Sequence, residues 1–496
     1  MKKNLFVLFL FCLQTFVCLS QNNVFISGKL KMKPGTTIRF SKYTDYISLD
    51  RERLSTIKTG PDSSFSVSFP LKSTDIVNIS VNELNLSALL YPDHHYNFDL
   101  GSTKDEETEN LMISSNQQGT NPQNILIKTQ QLFSDSTLSI LFRQNNQRAS
   151  KKDVDLFNAV IDSGIKQTND TFCKNLIQSS RVDYLMMSRA VNFPTTFGKY
   201  FDCNNLPLTN PAFQSMISSN FKMYFSLGPP SIIRHNLSQG IPDSLHFQNL
   251  LQIMSEDPSM NCIPFREAVL LENLYVMIKN GILSRDKGIN LFKEAALSSV
   301  HPANRQVAEN LISSLNRQMA GTGIPDFKLI FPDKSLHTLS SLTGKPLHIT
   351  FFTLKGIADK TLLSQLADVE HLADSLGVAH FLCITKDTNQ EAVKKYWKEK
   401  KYPMQLCFAP DDYEMIDYFN AYTTPSFVLL DSKGKLYTMV PNFPGDQLLK
   451  LLISLYHADN LKNPEVKSQK NPTLQQDAQY HPDAPQPGSP PKASKK

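Results

Sequence analysis

Residues Leu347–Thr353 read LHITFFT, an apolar run broken only by His348 and the threonines. Side chains of a strand point alternately to its two faces, so such a run fits a sheet centre covered on both sides. Downstream of this run, helix and strand alternate. Thr361–Leu376 predicts a helix with Leu362, Leu366, Val369, Leu372 and Leu376 on one stripe, and Ala379–Thr385 predicts the next strand. Glu391–Lys400 predicts a helix carrying Val393 and the only tryptophan, Trp397, before a short strand at Gln405–Phe408. Tyr413–Phe419 has room for a helical turn or two. Ser426–Asp431 and Leu436–Val440 predict a hairpin through Ser432-Lys433-Gly434, and Gln447–Tyr456 a closing leucine-rich helix. Residues 324–459 therefore predict an α/β domain in the order β-α-β-α-β-α-β-β-α.

The rest of the chain has other periodicities. Residues 21–101 alternate apolar and polar positions in short bursts such as VFISGKL, SFSVSF and IVNISV. Turn signals at Lys33-Pro34-Gly35, Gly60-Pro61-Asp62 and Pro92-Asp93 separate them, which predicts an antiparallel β-sandwich. Residues 102–123 are polar and acidic and predict a linker. Residues 124–320 follow helical spacing, with prolines between the segments, and predict a helical domain of short helices. The Pro/Gln/Lys-rich residues 460–496 carry too few large apolar side chains to offset chain entropy and predict a disordered tail. The fold class expected is thus multidomain α+β: a β-sandwich, a helical region and a C-terminal α/β domain.

The α/β part carries Pro325-Asp326-Phe327 and Leu339–Pro346 ahead of the apolar strand, and Thr424-Pro425 with the Asp431–Gly434 turn behind it. With these marks it resembles the thioredoxin-like superfamily in its secreted TlpA-type and peroxiredoxin-like branch. The β-rich start likewise resembles, by pattern and position, the β-domain that precedes such domains in secreted Gram-negative proteins. The resemblance implies a Cys-x-x-Cys at a helix start, where the dipole and free N–H groups make a thiolate nucleophilic. Laid on this sequence, the first cysteine position holds Gly356, the second Asp359, and the usual tryptophan is Lys355. Neither Gly nor Asp forms a disulfide, so the resemblance implies a redox scaffold with a degenerate site. Asp359 has a plain role as an anion at a helix start. Thr424-Pro425 falls where the family carries a cis proline whose backbone neighbours pair with extended substrate peptides. That docking edge can outlive the cysteines, and the proline also has the plainer use of turning the chain.

Other chemistry is sparse. Five cysteines lie beyond residue 20: Cys173, Cys203, Cys262, Cys383 and Cys407. Cys203 and Cys262 sit in loop-like contexts and are the better candidates for a disulfide, whereas Cys383 and Cys407, in apolar strands, read as buried inert thiols. No Cys/His group has metal-ligand spacing, and no phosphate-binding glycine loop, H-E-x-x-H or G-x-S-x-G is present, so neither metal nor cofactor is expected. His348 reads as a core histidine and His94-His95 as a surface turn.

The formal charge of +5 includes two from Lys2 and Lys3 and three from the tail, leaving a neutral body that disfavours nucleic acid as a partner. Lys2 and Lys3, the apolar Leu5–Val17 and Cys18-Leu19-Ser20 predict a signal peptide over residues 1–20 and a periplasmic destination; no segment predicts a membrane span. The function expected is a non-redox, thioredoxin-like module that binds a peptide or protein partner in the envelope. Two alternatives stand beside it: a thiol-disulfide oxidoreductase using an unconventional cysteine, and a structural envelope-assembly protein.

Overall fold

The computed structural model of the chain describes residues 22–82, 84–104, 109–114, 122–142, 149–387, 389–409, 414–439 and 445–461. The expected leader, the acidic run at 105–108 and the tail beyond Leu461 lie outside them. The described chain is mixed α and β, with several sheets.

Its first part holds strands β1 (Asn23–Lys29), β2 (Thr37–Tyr43), β3 (Arg51–Lys58), β4 (Ser64–Pro70), β5 (Asp75–Val81), β6 (Leu84–Leu90), β7 (His95–Asn97), β8 (Asp99–Lys104) and β9 (Glu109–Ser114). Two sheets form, in the orders β4-β1-β7 and β3-β2-β5-β6, with β8 and β9 as a separate pair. All share one core, in which Val24 and Ile26 meet Ile38, Phe40, Phe65, Val67, Phe69, Val77 and Ile79. The alternation of SFSVSFP explains how: Phe65, Val67 and Phe69 face inward while Ser66 and Ser68 face water. Two expectations are corrected. Pairing is not wholly antiparallel, because β1 and β7 run parallel. Nor is 102–123 all linker: β9 pairs with β8, and Leu111 and Ile113 alternate into the core. That alternation covers only two buried positions, so the surrounding polar residues hid it.

Helices run from Pro122 to Arg317. Their main core gathers around Phe213, Phe247, Phe265 and Phe292. Cys203 and Cys262 are joined by a disulfide in this part, with Cα atoms 5.7 Å apart. The β2–β3 loop plugs into the helices. Ile47 joins the helical core, and the Tyr46 N–H donates to Gln214 Oε1 at 2.6 Å. Asn310 Nδ2 donates to Asp45 Oδ2 at 2.8 Å, and Arg317 pairs with Asp50.

The C-terminal sheet has seven strands in the order β11-β10-β14-β13-β12-β15-β16. They are β10 (Lys328–Ile330), β11 (Leu336–Thr338), β12 (Leu347–Phe352), β13 (His380–Thr385), β14 (Gln405–Phe408), β15 (Ser426–Leu430) and β16 (Leu436–Thr438). Strands β12, β13 and β14 are parallel, while β15 runs antiparallel to β12. Every residue of β12 is buried. One face packs on the Ile357–Leu376 and Asp446–Leu461 helices through Leu363, Leu366, Leu448 and Leu452. The other packs on the Glu414–Phe419 helix through Met415, Ile416 and Phe419. Trp397 stacks on Phe352 at 5.5 Å and donates from its indole N–H to the Met404 carbonyl. His348 is fully buried, and desolvation lowers its pKa to about 3, so it is a neutral core residue. The Ile357–Leu376 helix starts a turn earlier than the Thr361 expected, and Leu372 and Leu376 are exposed rather than on its buried stripe.

A buried acid in the helical part sets a test. Glu272 is 6% exposed, and burial raises its carboxyl from 4.5 to about 7, with Asp45 adding to the rise and Ser218 and Lys222 opposing it. The folded chain therefore keeps a proton that the unfolded chain releases near pH 4.5. This stabilisation is present below that value and is lost as pH rises through about 7. Glu272→Gln stays neutral and should gain on the order of 2–3 kcal/mol over the parent at pH 8, the gap closing toward pH 5. Thermal melts of both proteins at the two pH values check this; an equal difference at both would contradict it.

Candidate functional site

Strand β12 ends at Phe352, and the chain turns through Thr353, Leu354 and Lys355 into the helix that Gly356 caps. This is where the resemblance implies a reactive dithiol. Asp359, in the helix's first turn, is 2% exposed. Its Oδ2 accepts the Thr353 N–H at 2.9 Å and the Thr353 hydroxyl at 3.2 Å. Gly356 has ordinary extended dihedrals, φ −81° and ψ 130°, so no backbone demand calls for glycine. A Cβ there would sit 3.3 Å from Asp359 Cγ, a tight contact that a small shift of that side chain relieves. The two residues act as a pair, the carboxylate folding back over the glycine to hold the loop.

A second acid braces the loop. Asp387 Oδ2 accepts the Leu354 N–H at 2.7 Å and the Thr385 hydroxyl at 3.0 Å. Beside it, Lys386 Nζ donates to the carbonyls of Tyr422 at 2.6 Å and Ala421 at 3.3 Å. These bonds tie the β13 end to the segment leading into the Thr424–Pro425 bond, which is cis.

The first part of the chain faces this loop. Arg53 of β3 pairs with Asp417 through both Nε and Nη2. Two residues earlier, the Arg51 guanidinium lies 3.9 Å from the Tyr422 ring centre and 4.8 Å from that of Tyr43. Asp417 Oδ1 also accepts the Tyr422 hydroxyl at 2.6 Å, and burial together with this carboxylate raises the tyrosine's pKa. Between β2, β3 and the loop lies a cavity of about 510 Å³. Thr353, Lys355, Lys386, Thr423 and Thr424 line one side, and Arg39, Arg51 and Arg53 the other.

Of the residues singled out in the sequence, the structure brings Lys355 and Thr424 to this one cavity, while Gly356 and Asp359 lie at the loop's base. Cys203 and Cys262 belong to the helical part. Arg39, Arg51, Arg53, Lys386, Asp387, Asp417 and Tyr422 were missed. The signal for two of them was present: Arg51-Glu52-Arg53 in a strand puts both arginines on one face. Nothing in the pattern says what that face meets.

The thiols stand elsewhere. Register pairs Cys383 with Leu406 and Ile384 with Cys407, so the two cysteines sit on opposite faces of the sheet and in different cores. Both are free and buried, as is Cys173. Burial pushes Cys407 up to about 12 and Cys383 up as well; burial and a hydrogen bond to Asp170 push Cys173 up to about 12. All three are neutral thiols near pH 7, the form that does not attack. Among the described residues no group of three or more His, Cys, Asp or Glu gathers as metal ligands, and no helix is long and apolar enough to cross a membrane.

No family model matches the chain, and no curated protein matches it. Solved structures do resemble part of it. The thioredoxin domain of a thiol-disulfide oxidoreductase from Bacteroides vulgatus is 19% identical, covering 27% of this chain and 96% of its own, with a TM-score of 0.24. A thiol:disulfide interchange protein of the thioredoxin family from Chlorobium tepidum is 19% identical, covering 28% of this chain and 98% of its own, at 0.25. The exposed lipoprotein thioredoxin of Streptococcus pneumoniae is 22% identical, covering 26% of this chain and 99% of its own, at 0.23. Likeness at this level transfers neither activity nor substrate. What the comparisons give is a similarity of about a quarter of this chain to thioredoxin-like thiol-disulfide proteins.

Proposed function

We propose that this chain is a periplasmic, thioredoxin-like protein that binds an extended peptide or protein segment in the cleft beside Thr424-Pro425 and performs no thiol-disulfide turnover. The carrying observation is the helix start. Gly356 and Asp359 stand where a dithiol is needed, and the Asp359 carboxylate is committed to Thr353. The three free thiols of the described residues are buried with raised pKa values, which counts against an unconventional reactive cysteine. The cleft supplies what binding needs: backbone beside the proline, polar groups from two parts of the chain, and apolar Leu84 and Ile416 in its lining. The leader read from Lys2, Lys3 and Leu5–Val17 supplies the location.

Insulin reduction by dithiothreitol should run no faster with the protein than without it, and turnover would end this reading. The double variant Gly356→Cys/Asp359→Cys restores Cys-x-x-Cys spacing and removes the carboxylate that crowds position 356. It should reduce insulin where the parent does not. Hydrogen exchange with a set of extended peptides should show protection at Thr353–Lys355 and Tyr422–Thr424. Protection elsewhere only would contradict the placement.

A further inference from the structure

The charge described around the cleft is mostly positive. Among the described residues, Arg39, Arg51, Arg53, Lys355 and Lys386 line it, with the carboxylate of Asp417. Asp359 and Asp387 sit behind the loop, where each accepts a backbone N–H. Counting them as well, the described cations outnumber the described acids by two. The body of the chain is close to neutral, so this is a local concentration.

Several of these cations are held in place. Arg39 is only 9% exposed, and its Nη2 donates to the Asn82 carbonyl at 2.9 Å. Arg51 is stacked against two tyrosine rings and donates from Nη2 to the Tyr43 hydroxyl at 2.8 Å, while its buried Nε has no hydrogen-bond partner. Lys386 is fixed by two carbonyls, whereas Lys355 stands exposed on the loop. Guanidinium forks held this way match carboxylates in shape as well as charge. The cleft already contains an arginine–carboxylate contact, since Arg53 Nε and Nη2 both donate to Asp417 Oδ2.

We propose that the cleft takes carboxylates, presented by the acidic side chains of an extended peptide. This rests on the peptide-binding reading and adds the chemistry of the ligand. A cavity of about 510 Å³ is far roomier than a lone inorganic anion needs and lies in the range of sites that hold organic ligands. It opens beside Thr423 and Thr424, whose backbone sets the direction of a docked strand. The cations fix the acidic side chains and speed encounter through the local field.

Calorimetric titration of the whole chain with N-acetyl tetra-glutamate amide and with the tetra-glutamine analogue tests this. The acidic peptide should bind at least about tenfold more tightly, and its affinity should fall as salt is raised. Lys355→Glu changes an exposed loop residue and should weaken the acidic peptide about tenfold. Asp417→Asn removes the internal competitor for Arg53 and should tighten it; its melting temperature, taken alongside, reports whether the fold survives. Equal binding of the two peptides with cleft protection in hydrogen exchange, or indifference to Lys355→Glu, overturns the charge assignment and leaves the peptide reading standing. Binding of neither peptide, with no protection at the cleft by any peptide, overturns both. Free citrate binding as tightly as the acidic peptide overturns the peptide as source.

Discussion

Strand β3 and the loop before it connect the three parts of the chain, and the shape of the cleft depends on that connection. Ile47 lies in the helical core, Asp50 pairs with Arg317, Arg51 stacks on Tyr422, and Arg53 holds Asp417. These contacts fall within seven residues of the chain. The loop supplies an apolar plug, and the strand's period of two turns both arginines to one side. Partly buried ion pairs add little stability by themselves. Their contribution here is geometric: they fix one wall of the cavity against the loop that forms the other.

The second constraint is the pairing of Gly356 with Asp359. A helix start is an electropositive place that favours an anion. In a redox enzyme the anion is a thiolate. Here it is a carboxylate that turns inward and takes the Thr353 N–H, so the same field holds a loop together. The remaining thiols lie in apolar cores, where burial keeps them protonated. The helix start thus carries Gly356 and Asp359 and no thiol, and the described free cysteines are buried.

Much of the fold was legible because it rests on periodicity. The alternation in β4 and the unbroken apolar β12 each say which faces are covered, and those faces are covered. Short edge elements were not legible: β10 and β11 have three residues each, too few for a period to register. Leu372 and Leu376 fit a helical stripe yet face solvent, while Leu363, Ala367 and Ala373 take the buried side. At the site, the loop and Thr424-Pro425 could be found from local residues. Arg39, Arg51 and Arg53 could not: tertiary packing sets what they face, and the Asp417 that Arg53 holds lies 364 residues along the chain.

The central claim is that none of the thiols among the described residues is reactive in the folded protein. Maleimide labelling of the chain from Gln21 onward, at neutral pH, tests it most directly. The account predicts no fast labelling in the native state, three labelled cysteines after denaturation without reductant, and five after denaturation with it. A single cysteine that labels rapidly in the native protein would contradict it.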